Sequence, residues 1–271
     1  MAREFNGEMS FLQHLEELRW HLVRSVGAIV VMAILAFIFK DFIFDGILIA
    51  PKNPDFITNR VFAAFAEKMN TPSLRINDNP FELVSISMSG QFSTHIWISI
   101  ISGLILAFPF VIYQFWSFIS PALYEKERNN AKYAVFAISG LFFLGVLFGY
   151  YVIVPLSIHF LGSYQVSASV KNTINLPSYF STIASVTLAS GLVFELPVVA
   201  YFLSKVGLIT PQFLKTYRKH SYVVILILAA IITPPDVFSQ ILVTIPLVVL
   251  YEVSIFISAA IYRKKEKESV A

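Results

Sequence analysis

The chain has 271 residues, of which 56% are hydrophobic and only 14% charged, and its mean hydropathy is +0.71. About a quarter of an ordinary soluble domain is charged, so this composition excludes that class. The absence of Cys excludes disulfides and thiolate metal sites. The pI near 9.0 does not indicate nucleic-acid binding, because the basic residues lie between apolar segments rather than on one soluble face.

The chain starts with "MAREFNGEMSF", which lacks the apolar core of a signal peptide, so we expect the mature chain to begin at Met1. The segment that follows, "SFLQHLEELRWHLVRSV", has an apolar stripe on one side. His14, Glu17, His21 and Arg24 line another side. This pattern predicts an amphipathic helix that leads into a first membrane span.

Long runs without charge define the class of protein. Leu83–Tyr124 and Tyr133–Val170 each exceed the roughly 20 residues that cross a bilayer, so we predict an all-α, multi-pass membrane protein. Six membrane helices are expected, at about residues 22–43, 93–116, 133–155, 178–204, 221–233 and 237–261. No internal repeat is present, and we therefore expect a single polytopic domain over residues 1–271.

The placement of Lys and Arg predicts the orientation. Fourteen of the twenty basic residues fall in the N-terminal segment, the loops after spans two and four, and the tail at 263–271. Five of the other six lie in or beside the long loop at 44–91, which counts little because long loops cross membranes largely regardless of charge. Both termini, including the tail, should therefore be cytoplasmic.

The long outer loop at 44–91 contains one helical pattern. "TNRVFAAFAEKM" (58–69) has apolar residues at Val61, Phe62, Phe65 and Met69, a stripe that could lie on the membrane surface. The stretch "FELVSISMSG" (81–90) looks extended. A packed cap over the outer ends of the helices is favoured over a separate binding module.

Carboxylates occur at two places on the predicted cytoplasmic side. Glu17 lies in the first segment, and Glu125 and Glu127 lie in "PALYEKER" after span two. Separated carboxylates on one membrane face suit a ligand with two adjacent cations, and Arg is favoured because its guanidinium pairs bidentately with carboxylate. The alternative is a solvated, mixed-charge helix end, which spacing alone favours.

A further carboxylate lies inside a predicted span. Glu195 is in the middle of "LVFELPVV" (192–199), in a stretch otherwise uncharged from Asn172 to Ser204. A charged side chain at the bilayer centre costs roughly 2.5–3.5 kcal/mol on insertion scales, which makes an intramembrane carboxylate a functional hypothesis. Pro197 should open the helix backbone beside it. The alternative is a neutral Glu195 that is hydrogen-bonded to a neighbouring helix.

The last two spans are short. Ser221–Ile232 would make about 18 Å of helix, against about 30 Å of hydrocarbon, before the break at Pro234 and Pro235. If Glu252 marks the cytoplasmic interface, span six is short as well. The pair then thins the bilayer locally or admits water, unless interfacial residues lengthen both helices.

Four motifs resemble the TatC family, the polytopic core subunit of the twin-arginine protein translocase. They are "HLEELR" (14–19), "FISPALYEKER" (118–128), "FELPVV" (194–199), and "TPPDVFSQ" (233–240) followed by "IPLVVLYE" (245–252). They occur in the family's order and span nearly the whole chain. The resemblance implies six helices in a concave, cupped arrangement with short helices five and six and both termini inside.

The resemblance also implies roles for particular residues. Signal-peptide binding would fall on Glu17 and Glu127, with Arg19, Phe118, Pro121 and Tyr124 at other motif positions. Intramembrane or partner contacts would fall on Glu195, Pro197, Pro51, Asp236, Gln240 and Glu252. Glu195 would then be a polar anchor in a partly wet groove near the partner subunits.

The function implied is a receptor and scaffold rather than an enzyme. It would bind twin-arginine signal peptides of folded precursor proteins on the cytoplasmic face. It would also recruit single-span TatA and TatB subunits for export driven by the proton gradient. A multi-pass location in the cell inner membrane, self-association in a multimeric complex and contact with lipids are expected, with no cofactor, metal or nucleic acid. The alternative is a proton-coupled small-solute carrier that uses Glu195, although such carriers usually show internal repeats.

Overall fold

The structure is a computed structural model, and it describes residues 11–78, 81–119, 131–167, 169, 172–233 and 237–270. Ten α-helices lie in these ranges. They are α1 (Phe11–Ile38), α2 (Ile57–Lys68), α3 (Gly90–Ile119), α4 (Ala131–Phe148), α5 (Val154–Ser163), α6 (Leu176–Val193), α7 (Leu196–Val206), α8 (Pro211–Thr216), α9 (Arg218–Ile232) and α10 (Val237–Val270). Two π-helices cover Phe42–Leu48 and Gly149–Ile153, and short 3₁₀ turns cover Ala50–Lys52 and Pro72–Leu74. Two-residue strands, β1 (Leu83–Val84) and β2 (Ile174–Asn175), pair in parallel.

Helices long and apolar enough to cross a membrane confirm five of the predicted spans. Within the described residues they are His14–Ile38, Gly90–Ile119, Ala134–Ser163, Leu176–Val206 and Gln240–Arg263. The remaining predicted span, the fifth, coincides with α9, whose 15 residues make about 22 Å of helix. A crossing by α9 stays a prediction.

The chain divides into two compact units. Unit 1 contains Met1–Ile38 and Ser99–Ser139, and unit 2 contains Phe39–Ile98 and Gly140–Ala271. The expectation of one continuous domain stays a prediction.

In unit 1, α1 packs closely against α3 at Gly103. A Cβ at this glycine would lie 2.6 Å from the backbone nitrogen of Ala33, so only glycine fits. Most other apolar side chains of α1 are exposed, as expected of a helix that faces lipid.

In unit 2, the last part of α4 and the π-helix after it pack against α6 through two glycines. A Cβ at Gly145 would lie 2.6 Å from the carbonyl oxygen of Ser190, and a Cβ at Gly149 would lie 2.8 Å from the Cβ of Ser190. Small residues let two helix backbones approach closely, which is how membrane helices associate without a hydrophobic driving force between them. The fully buried side chains of Phe142 and Phe180 fill the space beside this contact.

Two tyrosines hold the end of the first π-helix. The hydroxyl of Tyr150 donates to the carbonyl of Ile47 at 2.7 Å, and that of Tyr179 donates to the carbonyl of Leu48 at 3.1 Å. These bonds satisfy carbonyls that have no partner within the helix. They fix the start of the long loop onto α6 and the second π-helix.

The part of the loop between Pro51 and Asn77 is organised around two asparagines. The Asn59 amide donates to the carbonyls of Pro51 at 3.0 Å and Asn53 at 2.7 Å. The Asn77 amide donates to the Asn59 side-chain oxygen at 3.2 Å and to the carbonyl of Pro155 at 3.1 Å. The loop therefore packs on the start of α5, and β1 at Leu83–Val84 is part of the stretch predicted to be extended.

Candidate functional site

The first candidate site lies in unit 1, where the start of α1 meets the end of α3. The ring of Phe118 stacks on His14 at 4.6 Å between centroids and lies edge-on to His21 at 6.0 Å. His21 Nδ1 lies 2.7 Å from Oε1 of the buried Gln114, so an N–H at Nδ1 donates to the amide oxygen. These contacts fix which face of α1 points towards α3.

Glu17 lies between the two histidines on that face, three residues after His14 and four before His21. Its side chain is half-buried, whereas Glu16 and Arg19 are both 65% exposed. Arg19 Nη2 lies 3.7 Å from Glu16 Oε1, and the Arg19 guanidinium lies over the Trp20 ring at 5.4 Å. Within the described ranges no cation pairs with Glu17.

Three residues expected at this site, Pro121, Tyr124 and Glu127, lie outside the described residues. The structure therefore brings together Glu17 and Phe118 through the histidines. It places Arg19 on the exposed side of α1, paired with Glu16.

The second candidate site is Glu195, at a break between two helices of unit 2. α6 ends at Val193 and α7 begins at Leu196, so Phe194 and Glu195 form a turn inside the apolar segment. Pro197 is at the second position of α7, where its missing N–H breaks no helical hydrogen bond. Beside Pro197 the α-helix is thus interrupted for two residues, although the backbone of Phe194 and Glu195 stays in the right-handed helical region.

Both carboxylate oxygens of Glu195 are buried, and neither has a hydrogen-bond partner among the described residues. The Glu195 backbone carbonyl accepts from the N–H groups of Val198 at 2.9 Å and Val199 at 3.0 Å. A buried carboxyl group without a partner is unfavourable by several kcal/mol in apolar surroundings, roughly 2–7 for a neutral polar group. This group is therefore suited to meet a donor from outside the described part of the chain.

The third cluster joins α9 to α10. Glu252 Oε2 lies 2.9 Å from Nη2 of Arg218, and Glu252 Oε1 accepts from the hydroxyl of Tyr222 at 2.6 Å. The adjacent Tyr251 hydroxyl accepts from Ser221 at 2.9 Å and donates to the carbonyl of Leu214 at 2.8 Å. Sequence reasoning singled out Glu252 but missed its partners. Arg218 and Tyr222 lie 34 and 30 residues before it, and no sequence pattern links them to it or assigns a contact to the adjacent Tyr251.

The remaining expected residues have internal contacts or lie outside the described ranges. Pro51 is buried and its carbonyl accepts from Asn59, and the Gln240 amide donates to the carbonyl of Leu226 at 3.3 Å. Asp236 is not among the described residues.

The fold and these sites define a polytopic helical membrane protein with a broken, carboxylate-bearing fourth span. The family model described as "Sec-independent protein translocase protein (TatC)" matches residues 13–246. The chain belongs to the TatC family of Sec-independent protein translocase proteins. It is a multi-pass inner-membrane component of the Tat translocase and a translocation factor rather than an enzyme.

Similar proteins cover the chain almost end to end. A TatC protein from Blattabacterium sp. subsp. Periplaneta americana (strain BPLAN) is 42% identical over 98% of this chain and 100% of its own length. TatCy of Bacillus subtilis (strain 168) is 33% identical over 100% of this chain and 97% of its own. The crystal structure of the twin arginine translocase receptor TatC in DDM matches with a TM-score of 0.69 and 33% identity, over 90% of this chain and 99% of that chain.

Proposed function

We propose that this protein binds twin-arginine signal peptides on the cytoplasmic face through Glu17 and Glu127. The observation that carries the proposal is the setting of Glu17, which is half-buried between two histidines fixed by Phe118 and has no internal cation among the described residues. An incoming guanidinium would find there a carboxylate that is partly desolvated, which strengthens a charged hydrogen bond.

The chain around Phe118 supports a contribution from Glu127. α3 ends at Ile119, one residue after the ring that stacks on His14, and Glu127 follows eight residues later. Eight residues span at most about 26–29 Å, which limits how far Glu127 can lie from the end of α3. Each of the two carboxylates would bind one arginine of the pair, and lysines would bind less well because they lack the bidentate fork.

We also propose that Glu195 anchors a single-span TatA or TatB subunit. Its buried, unpartnered oxygens and the break at Phe194 and Glu195 support this role, because a partner helix could donate a hydrogen bond there. We further propose that the protein assembles into a multimeric complex. This complex would export folded precursors and would be driven by the proton gradient. Membership of the protein translocase family does not favour the alternative of a small-solute carrier.

The recognition step is tested by photocrosslinking in membranes. A signal peptide with "RR" and a matched peptide with "KK" are each offered to the full chain, with the crosslinker beside the pair. We expect crosslinks to α1 near Glu17 with the arginine peptide and much weaker ones with the lysine peptide. Equal crosslinking by both peptides would contradict recognition through bidentate pairing.

The cytoplasmic placement of this face has its own test. Because the chain contains no Cys, single cysteines introduced at Asn130 and Ser269 report topology directly. Both should be protected from an impermeant reagent applied outside, while one at the exposed Arg60 should react. Labelling of Ser269 from outside would reverse the orientation.

A further inference from the structure

The helix α2 in the long loop has an apolar side that the described part of the protein leaves exposed. Ile57, Val61, Phe65 and Met69, here called the α2 stripe, are 60%, 46%, 58% and 64% exposed. Their spacing of four residues puts them along one side of the helix. Phe62, which the sequence pattern grouped with them, lies instead on the covered side with Asn59 and Ala66, so that part of the pattern was wrong.

The inner side of α2 is fixed, so the stripe cannot turn inwards. Asn59 and Ala66 are each 2% exposed, and the Asn59 side chain makes hydrogen bonds to Pro51, Asn53 and Asn77. A helix that only capped the protein would need one apolar side. α2 has an inner side, an apolar outer side and a polar strip with Arg60 and Glu67.

α2 contacts the third span at Tyr151. The Thr58 hydroxyl donates to the carbonyl of Tyr151, and the Phe56 ring stacks on the Tyr151 ring at 5.5 Å between centroids. The third span predicted from the sequence ends at about residue 155. On those bounds the contact falls at the depth where aromatic side chains gather in membrane proteins.

The α2 stripe also continues a lipid-facing surface. Leu144 and Leu147 of α4 and Tyr151 are 54%, 51% and 40% exposed, and their spacing puts them on one side of the third span. Phe56, against Tyr151, leads from this side to the stripe. The Phe56–Tyr151 contact thus joins the apolar side of the span to the loop helix.

We propose that the α2 stripe lies in the lipid bilayer, at the boundary between acyl chains and headgroups of the leaflet on the loop side. The helix lies in the membrane plane with its polar strip towards water. Lys68, at the end of the helix, extends its ammonium to the headgroups while its aliphatic stem stays apolar. The contact with lipid sets the depth in the membrane at which the loop lies against the third span. This holds for either orientation of the protein in the membrane.

The test measures the depth of single spin labels in the full chain. Val61→Cys and Phe65→Cys are labelled with a nitroxide in vesicles of phosphatidylethanolamine and phosphatidylglycerol, with Arg60→Cys as the control on the polar strip of the same helix. Collision rates are measured with oxygen, which concentrates in lipid, and with a water-soluble nickel chelate. We expect the oxygen-to-nickel ratio to be several-fold higher at residues 61 and 65 than at residue 60.

Two results would overturn the proposal. Equal ratios at all three positions would place the stripe in water. Low collision rates with both reagents at residues 61 and 65 would mean that protein covers the stripe, either a second copy or a partner subunit.

Discussion

His21 and Gln114 join the first helix to the third through a hydrogen bond of 2.7 Å between Nδ1 and Oε1. Gln114 is buried, so this bond satisfies a polar group that would otherwise be unpaired in the unit. It also sets the rotation of α1, and with it the direction of Glu17, one turn before His21. The hydrogen bond between His21 and Gln114 thus positions the Glu17 carboxylate, which we assign to recognition.

Replacing Gly145 by Ala should destabilise unit 2, because the added Cβ would lie 2.6 Å from the Ser190 carbonyl oxygen and 2.7 Å from the Phe194 Cβ. Overpacking of this kind typically costs about 1–3 kcal/mol. Gly140→Ala, on the same helix, is the control, since nothing lies within 4 Å of its Cβ. Thermal unfolding in detergent should show a lower midpoint for Gly145→Ala alone. Matching midpoints for the two variants would mean that the helices are not in close contact.

Replacing Glu252 by Ala should loosen α9 from α10, because it removes the partner of both Arg218 and Tyr222. The Arg218 and Glu252 side chains are 44% and 29% exposed, so solvent screening keeps the ion pair at about 1 kcal/mol or less, and salt should weaken it. Tyr222→Phe, which removes one hydrogen bond and keeps the ring, should have a smaller effect. Protease sensitivity of residues 207–217 in membranes reports the loosening, and equal sensitivity of wild type and Glu252→Ala would refute it.

Lengthening α9 by four leucines before Thr233 should preserve insertion but reduce export. The 15-residue helix is about 22 Å long, and the insertion adds about 6 Å, which approaches the thickness of the hydrocarbon core. If the short α9 thins the bilayer, the lengthened helix would no longer do so. If this variant exports at the wild-type rate, thinning has no part in transport.

Much of the fold follows from hydropathy, and the departures have local physical causes. Five of the six spans predicted from the sequence are confirmed within the described residues, because lipid requires continuous apolar helices. Pro109 and Pro246 stay inside continuous helices, whereas Pro155 and Pro197 each lie at the start of a new one. Proline alone does not distinguish these outcomes, since tertiary contacts decide whether the freed backbone groups find partners.

The candidate sites are predictable only where a motif carries them. Glu195 is visible in the sequence as a carboxylate in an apolar stretch, whereas Glu17 is singled out by its position in "HLEELR". The pairing of Gln114 with His21 and of Tyr222 with Glu252 joins residues 93 and 30 positions apart, and no periodicity reports such contacts. No sequence pattern predicts the π-helices either, although Gly149 at the start of the second one marks a close approach to Ser190.

Glu195 should act as a hydrogen-bonding group more than as a charge. Glu195→Gln should keep most crosslinking to a TatA or TatB subunit and most export, because the amide can still accept and donate. Glu195→Ala should lose part of both, since the partner's donor is then left without an acceptor. A proton carrier would instead lose function equally in both variants, because neither side chain titrates. Equal, complete loss in Gln and Ala would therefore defeat the anchor role.

The central claim is that Glu17 recognises an arginine of the signal peptide, and a peptide-binding measurement on two neighbouring glutamates tests it most directly. Affinity of the full chain for the "RR" peptide is measured for wild type, Glu17→Ala and Glu16→Ala, the last being a residue of the same helix that pairs with Arg19. A charged hydrogen bond contributes about 1.5–3 kcal/mol, so Glu17→Ala should weaken binding by about tenfold or more, with Glu16→Ala close to wild type. Wild-type affinity in Glu17→Ala, or an equal loss in Glu16→Ala, would contradict the account.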